Sequence, residues 1–323
     1  MRPIWTLCAV FAGVGGIALG QTAPAQRWPE HSVTVVSPFV SGTTNDLVAR
    51  IVLDHVGDAL GHPFNIENRP GGGGIVGVAS VVHAKPDGYT LLLSSSQMSA
   101  VAILQKSVPY DPVKDLTPVA MFGGQPSVLL AAPAYKTAAD LIAAAKAKPG
   151  TLKFASVGFA SPSYFAAEHF VIAAALDVKH VPYASPFDGL TDLMAGRIDF
   201  YFVPIPPAKP LIDQGKAAAL AVTMPTRVDA RPNTPTLTEL GYPGAPYLFW
   251  CGLSAPANIP GDIVATLNAA VHKVLILPAV DQRYVGMDVI PMLMSPKEYG
   301  QFFATDVAVM TKLGKDAHIT PSQ

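Results

Sequence analysis

The chain has little charge and no excess of either sign. Only 14% of its 323 residues are charged, and 22 basic residues stand against 23 acidic ones. Proteins that bind nucleic acid or an anionic membrane surface carry basic patches, and this composition offers none. We therefore expect neither nucleic acid nor a polybasic membrane contact among its interactions.

Cysteine is almost absent as well. Cys8 lies in an apolar N-terminal run, so removal of that run would leave Cys251 as the single cysteine, with no intramolecular disulfide. The apolar neighbours of Cys251, from Phe249 to Leu253, predict a buried thiol and not a nucleophile.

Motifs for metal binding, phosphate binding and nucleophilic catalysis are also missing. The sequence contains no His-Glu-x-x-His, no Cys-x-x-Cys, no P-loop and no Gly-x-Ser-x-Gly. Gly72, Gly74 and Gly77 have the spacing of a dinucleotide fingerprint, but Gln97 stands where the ribose-binding acid is expected. We expect no metal, no cofactor and no enzymatic activity.

The N-terminus has the features of a secretory leader. Arg2 supplies a positive charge, residues 4–19 are apolar or small, and Ala23-Pro24-Ala25 precedes Gln26. The alternative is a membrane anchor, but the run is shorter than the ~20 apolar residues that a span needs. We predict a cleaved signal peptide at residues 1–25.

Short β-branched runs alternate with segments of helical periodicity. Strands are predicted at 33–36, 64–67, 89–93, 128–131, 152–156, 179–181 and 198–203. Helical spacing at 47–56 and 263–274, and a capping box of Thr137 with Asp140, predict helices. This order is typical of α/β domains with largely parallel sheets, where ligands bind at the carboxyl ends of strands.

Two Pro- and Gly-rich stretches, 123–133 and 224–246, are the expected crossings between two domains. They predict a discontinuous lobe I, residues 26–130 and 225–323, and an inserted lobe II, residues 131–224.

Polar loops follow three of the predicted strands. The first contains Phe39, Ser41, Gly42, Thr43, Thr44, Asn45 and Asp46, the second Ser156, Gly158, Phe159, Ala160 and Ser161, and the third Ser95 and Gln97. A loop that opens a helix offers free backbone N–H groups to an anion, although each loop alone is equally an ordinary N-cap. Three of them at equivalent strand ends predict a binding cleft.

Several short motifs occur in order along the chain. They are Pro38-Phe39 with Gly42 and Asn45-Asp46, Glu67-Asn68-Arg69-Pro70-Gly71, Pro86-Asp87-Gly88-Tyr89, Pro109-Tyr110-Asp111-Pro112, Ala147-Lys148-Pro149-Gly150, and His180-Val181-Pro182-Tyr183. Together they resemble the Bug family, the TctC-like substrate-binding components of tripartite tricarboxylate transporters.

This resemblance implies a type II-like periplasmic-binding-protein fold, with two α/β domains joined by crossover strands around a central ligand cleft. It implies a periplasmic receptor, which we expect to be monomeric, that delivers a small carboxylate to membrane permease components. By the same resemblance, the carboxylate would be held by Phe39 to Asp46 and by Ser156 to Ser161.

The chain departs from the family pattern at Val203-Pro204, where relatives often carry Asp-Asn. An acid there could pair with a ligand ammonium, and valine cannot. We therefore expect a dicarboxylate or an aromatic acid and not an amino acid, with an apolar wall of Phe39, Phe159 and Tyr183 against its body. The sequence leaves open a sensory role, in which the receptor acts on a two-component sensor kinase.

Overall fold

The computed structural model describes residues 28–104, 108–158, 161–224, 226–229, 231–243 and 247–316, so the predicted leader lies outside the described residues. The strands are β1 Val33–Ser37, β2 Phe64–Asn68, β3 Thr90–Ser95, β4 Leu116–Gln125, β5 Ser127–Ala131, β6 Lys153–Ser156, β7 Lys179–Pro182, β8 Phe200–Pro204, β9 Ala218–Val222, β10 Phe249–Pro256 and β11 Ile290–Pro291. The helices are α1 Thr44–Leu60, α2 Ile75–Val82, α3 Ser96–Leu104, α4 Ala138–Ala147, α5 Pro162–Ala173, α6 Pro186–Met194, α7 Ile205–Asp213, α8 Gly261–Leu275, α9 Pro278–Met287 and α10 Pro296–Asp316.

These strands form two separate sheets. The first has the order β11-β4-β10-β3-β1-β2, and the second has the order β7-β6-β8-β5-β9. The chain passes from the first to the second between β4 and β5 and returns between β9 and β10. The fold is therefore the two-lobed α/β arrangement that was expected.

The prediction of largely parallel sheets is wrong. Pairs β1–β2, β1–β3, β6–β7 and β6–β8 are parallel, whereas β10 runs antiparallel to β3 and β4, and β5 runs antiparallel to β8 and β9. The short strand β11 also runs antiparallel to β4. Strands β5 and β10 are the first strands that the chain forms after it crosses from one lobe to the other. A strand that arrives from the other lobe enters its sheet from the opposite end, so each sheet is mixed.

Local sequence signals place several helices. Thr43 and Thr137 accept hydrogen bonds from the third backbone N–H of α1 and α4, and Asp140 completes the predicted capping box. Gly61 ends α1 in the left-handed conformation, with φ of 79°. Cys251 is 3% exposed, which confirms the prediction of a buried thiol.

Both faces of the second sheet are buried, and α10 connects the lobes. Val128 and Leu130 of β5 pack in one cluster, and the alternate residues Leu129 and Ala131 pack in another. At its start α10 packs against β4 and α3 of the first lobe, while its residues Met310 and Leu313 belong to the core of the second lobe. The C-terminal helix therefore spans the junction.

Among the described residues, no single helix is long and apolar enough to cross a membrane. Helices α8 and α9, which are bent by 76° at the break between them, are together long and apolar enough for a broken membrane span, by length and composition only. Most apolar residues of α8, among them Ile263, Leu267 and Val271, lie in the core of the first lobe. The described part of the chain also holds no group of three or more His, Cys, Asp or Glu side chains placed to bind a metal ion.

Candidate functional site

Strand register places the loops of the first lobe beside the crossing between the lobes. Ser95, the last residue of β3, pairs with Cys251, and Gln125, the last residue of β4, pairs with Phe249. Because β1 and β2 run parallel to β3, the carboxyl ends of all three lie at the same edge as Gln125. The loops that follow β1, β2 and β3 therefore gather where the chain leaves the first sheet.

The second lobe presents its loops to the same crossing. Ser127, the first residue of β5, pairs with Pro204, the last residue of β8. Strands β6 and β7 run parallel to β8, so their carboxyl ends share that edge. Since Pro126 alone separates Gln125 from Ser127, the two sets of loops lie on opposite sides of one short connection.

The loop after β1 ends at a helix N-terminus with free donors. Thr43 is the N-cap of α1, and its Oγ1 accepts from the backbone N–H of Asp46 at 3.4 Å. The N–H groups of Thr44 and Asn45 have no acceptor among the described residues. Gly42 makes the turn with φ of 85°, a conformation that glycine adopts without strain.

Asn45 is largely buried, with 4% of the residue exposed, and its side-chain amide has no hydrogen bond to any described residue. Unlike the hydroxyl of Tyr110, the amide atoms of Asn45 are not wholly buried, so they reach the surface of the loop, where water or a ligand can bind them. Asn45 is therefore the most informative side chain of this loop.

Asp46, which the sequence placed among the ligand contacts, is occupied inside the loop. Its carboxylate accepts from Arg50 Nε at 2.9 Å, Arg50 Nη2 at 3.1 Å, Asn68 Nδ2 at 2.8 Å and Gly42 N at 2.9 Å. Burial raises the pKa of Asp46, but the hydrogen bonds from Arg50 and Asn68 outweigh it, and the net pKa lies below the ordinary value. Asp46 thus carries a neutralised charge that orders the loop.

Asn68 ties the loop to the end of β2. Its Nδ2 also donates to Phe39 O at 3.0 Å, and its Oδ1 accepts from Arg50 Nη2 at 3.2 Å. Sequence reasoning did not identify Arg50 or Asn68 as parts of the site. Asn68 stood in a family motif, but nothing in the sequence indicated that it would meet a helix 18 residues earlier.

The loop after β6 is held by its own hydroxyl groups. Ser161 is the N-cap of α5, and its Oγ accepts from Tyr164 N at 3.2 Å and donates to Gly158 O at 2.7 Å. Ser163 Oγ accepts from Val157 N at 3.1 Å. In the first turn of α5, Ser163 N has no acceptor among the described residues, whereas Pro162 has no N–H and Tyr164 N is taken.

Ser156 lies beneath this loop and not on its surface. It is fully buried at the end of β6, where its Oγ bonds to Gly158 and lies 2.6 Å from His180 Nε2. Burial lowers the pKa of His180, whose ring stacks on Phe154 with centroids 5.0 Å apart. His180 therefore supports the loop from beneath, through Ser156.

The third predicted loop does not exist. Ser94 and Ser95 belong to β3 and are fully buried, and α3 begins directly at Ser96. Ser94 is satisfied by distant partners, with Ser254 Oγ at 2.9 Å and Tyr299 Oη at 2.8 Å. Gln97 is exposed at the start of α3, and its Nε2 donates to Gly73 O at 3.1 Å.

The predicted apolar wall is only partly in place. Phe39 is 8% exposed and packs into the core of the first lobe, and Val203 is 2% exposed inside the second. Tyr183 is half-buried, and its hydroxyl donates to Asp192 Oδ2 at 2.7 Å. Phe159 and Ala160 lie outside the described residues.

Among their described residues, the loops hold hydrogen-bond donors suited to an anion and no free cation. The donors are the unpaired backbone N–H groups of α1 and α5 and the side chain of Asn45, all beside helix N-termini that favour negative charge, whereas the hydroxyl of Ser41 already donates to Asp46 Oδ2 at 3.4 Å. Such a site holds a carboxylate through neutral hydrogen bonds, directly or through water.

The chain is similar in sequence to known proteins. A family model described as "Tripartite tricarboxylate transporter family receptor" matches residues 48–318. Protein BugT of Bordetella pertussis is 30% identical over 311 residues, which cover 95% of each chain.

Two solved structures are similar in sequence and in fold. A protein of R. palustris solved with adipate is 30% identical, with a TM-score of 0.68, over 91% of this chain and 100% of that one. MatC from Rhodopseudomonas palustris, solved with bound malate, is 31% identical, with a TM-score of 0.65, over 89% of this chain and 100% of that one.

Proposed function

The chain belongs to the tripartite tricarboxylate transporter receptor family, and on that premise we propose that it captures a small organic acid for uptake. The family and the fold are those of solute-binding proteins, which are not enzymes. The ligand that we propose is a dicarboxylate or an aromatic acid and not an amino acid, and the partners are the membrane permease components of a tripartite transporter.

The observation that carries this proposal is the set of unpaired donors at the start of α1. The side-chain amide of Asn45 has no partner among the described residues and reaches the surface, and the backbone N–H groups of Thr44 and Asn45 are unpaired in the same turn of the helix. A carboxylate would accept from all three at once. Because the loop after β6 lies across the crossing, a bound acid would contact both lobes and stabilise the arrangement in which they approach each other.

The preference against amino acids rests on charge. In residues 38–46, 156–158, 161–163 and 182–186, the one carboxylate is Asp46, and Arg50 neutralises it. A ligand ammonium would find no free acid there. Val203 is in the core, so it supports this argument by leaving the strand end uncharged and not by touching the ligand.

The proposed site comprises Ser41 to Asn45 on one side and Gly158 to Ser161 on the other, with Asp46 and Ser156 in supporting positions. We propose that the protein works as a monomer in the periplasm after loss of residues 1–25. The predicted boundary between residues 130 and 131 falls inside β5, which belongs to the second sheet, so we propose that the first crossing lies at Pro126. Lobe I would then comprise residues 26–126 and 225–323, and lobe II residues 127–224, with α10 packed across both.

The test is thermal unfolding of the chain from Gln26 onward with adipate, malate, citrate, terephthalate, aspartate and glutamate. A ligand that binds the folded state alone raises the melting temperature, by an amount that grows with its concentration. We expect a shift with at least one acid that has no amino group. A shift with aspartate or glutamate alone would refute the ligand class, and a shift with none of them would refute acid capture within this panel.

A further inference from the structure

A small cavity lies behind the first loop. It has a volume of about 10 Å³, and its walls are mainly apolar, formed by Pro38, Phe39, Val78, Met98, Val101 and Tyr110. Gly73 and Gln97, both exposed, line its outer side, at the edge where the loops of the first lobe gather. A volume of ~10–15 Å³ holds one water-sized group, so the cavity has room for a single oxygen atom.

One residue of the cavity wall carries a polar group without a partner. Tyr110 is 9% exposed, and its hydroxyl is buried with no hydrogen bond to any described residue. Burial raises the pKa of Tyr110 to about 12, so the group is a neutral phenol that can both donate and accept. Buried hydroxyls are rarely left unpaired in folded proteins. Tyr110 belongs to the motif Pro109-Tyr110-Asp111-Pro112, which contributes no residue to the carboxylate site proposed above.

The outer side of the cavity supplies further hydrogen-bonding groups. Gln97 uses its Nε2 on Gly73 O at 3.1 Å, which leaves its Oε1 without a partner among the described residues. The backbone N–H of Gly73 is also unpaired in the described part of the chain. A single oxygen atom in the cavity would thus meet Tyr110 on its inner side, with a donor and an acceptor on its outer side, which is the number of partners that a buried oxygen needs.

We propose that this cavity is a subsite for one hydroxyl oxygen, hydrogen-bonded to Tyr110 and supplied by a bound hydroxy acid or by a water molecule. The first source rests on the proposed function, because it requires an acid in the cleft. Tyr110 would then discriminate between acids that differ by one hydroxyl group, since loss of a satisfied hydrogen bond leaves the partner unpaired. The second source makes Tyr110 a positioning residue for the first loop.

The experiment compares Tyr110→Phe with the unaltered protein, using malate and succinate, which differ by one hydroxyl. The control is Tyr135→Phe, which removes a phenol that donates to Asp199 Oδ1 at 2.7 Å, remote from this cavity. Dissociation constants for both acids and the melting temperature of each ligand-free protein are measured. If the ligand supplies the oxygen, Tyr110→Phe weakens binding of malate by about threefold to tenfold relative to binding of succinate. Tyr135→Phe leaves the ratio of the two dissociation constants unchanged.

If water supplies the oxygen, the malate-to-succinate ratio is unchanged, and Tyr110→Phe lowers the ligand-free melting temperature about as much as Tyr135→Phe does. An unchanged ratio together with an unchanged or raised melting temperature overturns the subsite, because the phenol then has no partner to lose. If the unaltered protein binds neither acid, nor any other in the panel, the proposed function fails, and the melting temperatures still decide on the cavity.

Discussion

Arg50 donates a hydrogen bond to each carboxylate oxygen of Asp46, from Nε to Oδ2 at 2.9 Å and from Nη2 to Oδ1 at 3.1 Å. The two residues are one helical turn apart on α1, and the same carboxylate also holds Gly42 N at 2.9 Å. The ion pair therefore fixes the loop that presents the free amides of Thr44 and Asn45. Charge in this site serves to order the loop, and the binding groups themselves are neutral.

Replacing Arg50 with Met is expected to weaken binding of the acid and to lower stability. Asp46 would keep a fully buried charge with fewer partners, which costs about 1–3 kcal/mol. Because 41% of the Arg50 side chain is exposed, solvent screening places the loss toward the lower end of that range. Lys209→Met is the matched control, since Lys209 forms an i,i+4 pair with Asp213 on the surface of α7. Equal effects of the two substitutions on the dissociation constant would contradict a role for Arg50 in the loop.

Asn45→Ala should separate binding from stability. The amide makes no internal hydrogen bond, so its loss should leave the melting temperature within about 1–2 °C while weakening the acid about threefold to tenfold. Asn268→Ala provides the opposite case. Asn268 Nδ2 donates to Val119 O at 2.9 Å and Met294 O at 3.0 Å, so that variant should be less stable and bind normally. Intact binding by Asn45→Ala would remove the central support for the proposed site.

Ser161→Ala should lower both the stability of the protein and its affinity for the acid, because Ser161 caps α5 and donates a hydrogen bond to Gly158 O in its own loop. Loss of an N-cap costs ~1 kcal/mol. Thr137→Ala loses the equivalent cap of α4, which follows the antiparallel strand β5 and so lies at the other edge of the second sheet. If the two variants lose the same amount of melting temperature, we expect only Ser161→Ala to weaken binding of the acid. Calorimetric titration measures this binding. Equal affinities of the two variants would place the ligand away from the loop after β6.

The sequence was sufficient where signals are local. The capping box of Thr137 with Asp140 lies within four residues of chain, and hydrophobic spacing alone located α1 and α8. It failed where partners are distant. The predicted strand ended at residue 93, which left Ser94 in the polar stretch after it, yet the Ser94 hydroxyl is satisfied by Tyr299, 205 residues away. Only the packing of α10 against the first sheet makes that serine suitable for a strand.

The site shows the same division. The N-cap chemistry of Thr43 and Ser161 was readable from their neighbours in the chain. The hydrogen bonds that already engage the Asp46 carboxylate could not be predicted in this way, because Asn68 reaches Asp46 only when β1 pairs with β2. An acid in a predicted loop can be ligand or support, and the tertiary contacts decide between these roles.

The stability of the protein should fall as pH rises through the range in which Asp306 ionises. Asp306 accepts from Ser99 Oγ at 2.6 Å and Trp250 Nε1 at 2.9 Å, and burial raises its pKa to about 6. Between the ordinary value of 3.8 and about 6, the folded state holds a proton that the unfolded state has released, so its stabilising effect is complete below pH 3.8 and is lost above about 6. The loss is at most ~3 kcal/mol, since each pKa unit corresponds to 1.36 kcal/mol and partial exposure reduces the effect.

The substitution Asp306→Asn isolates this effect from other acids, among them Asp288, whose pKa burial also raises to about 6. The measurement is chemical unfolding of both proteins at pH 4.5 and pH 7.5. The free energy of unfolding of the unaltered protein, relative to Asp306→Asn, should be lower at the higher pH. A relative stability that is constant across this interval would mean that Asp306 stays ionised in the folded state. The two hydrogen bonds from Ser99 and Trp250 would then outweigh the cost of burial.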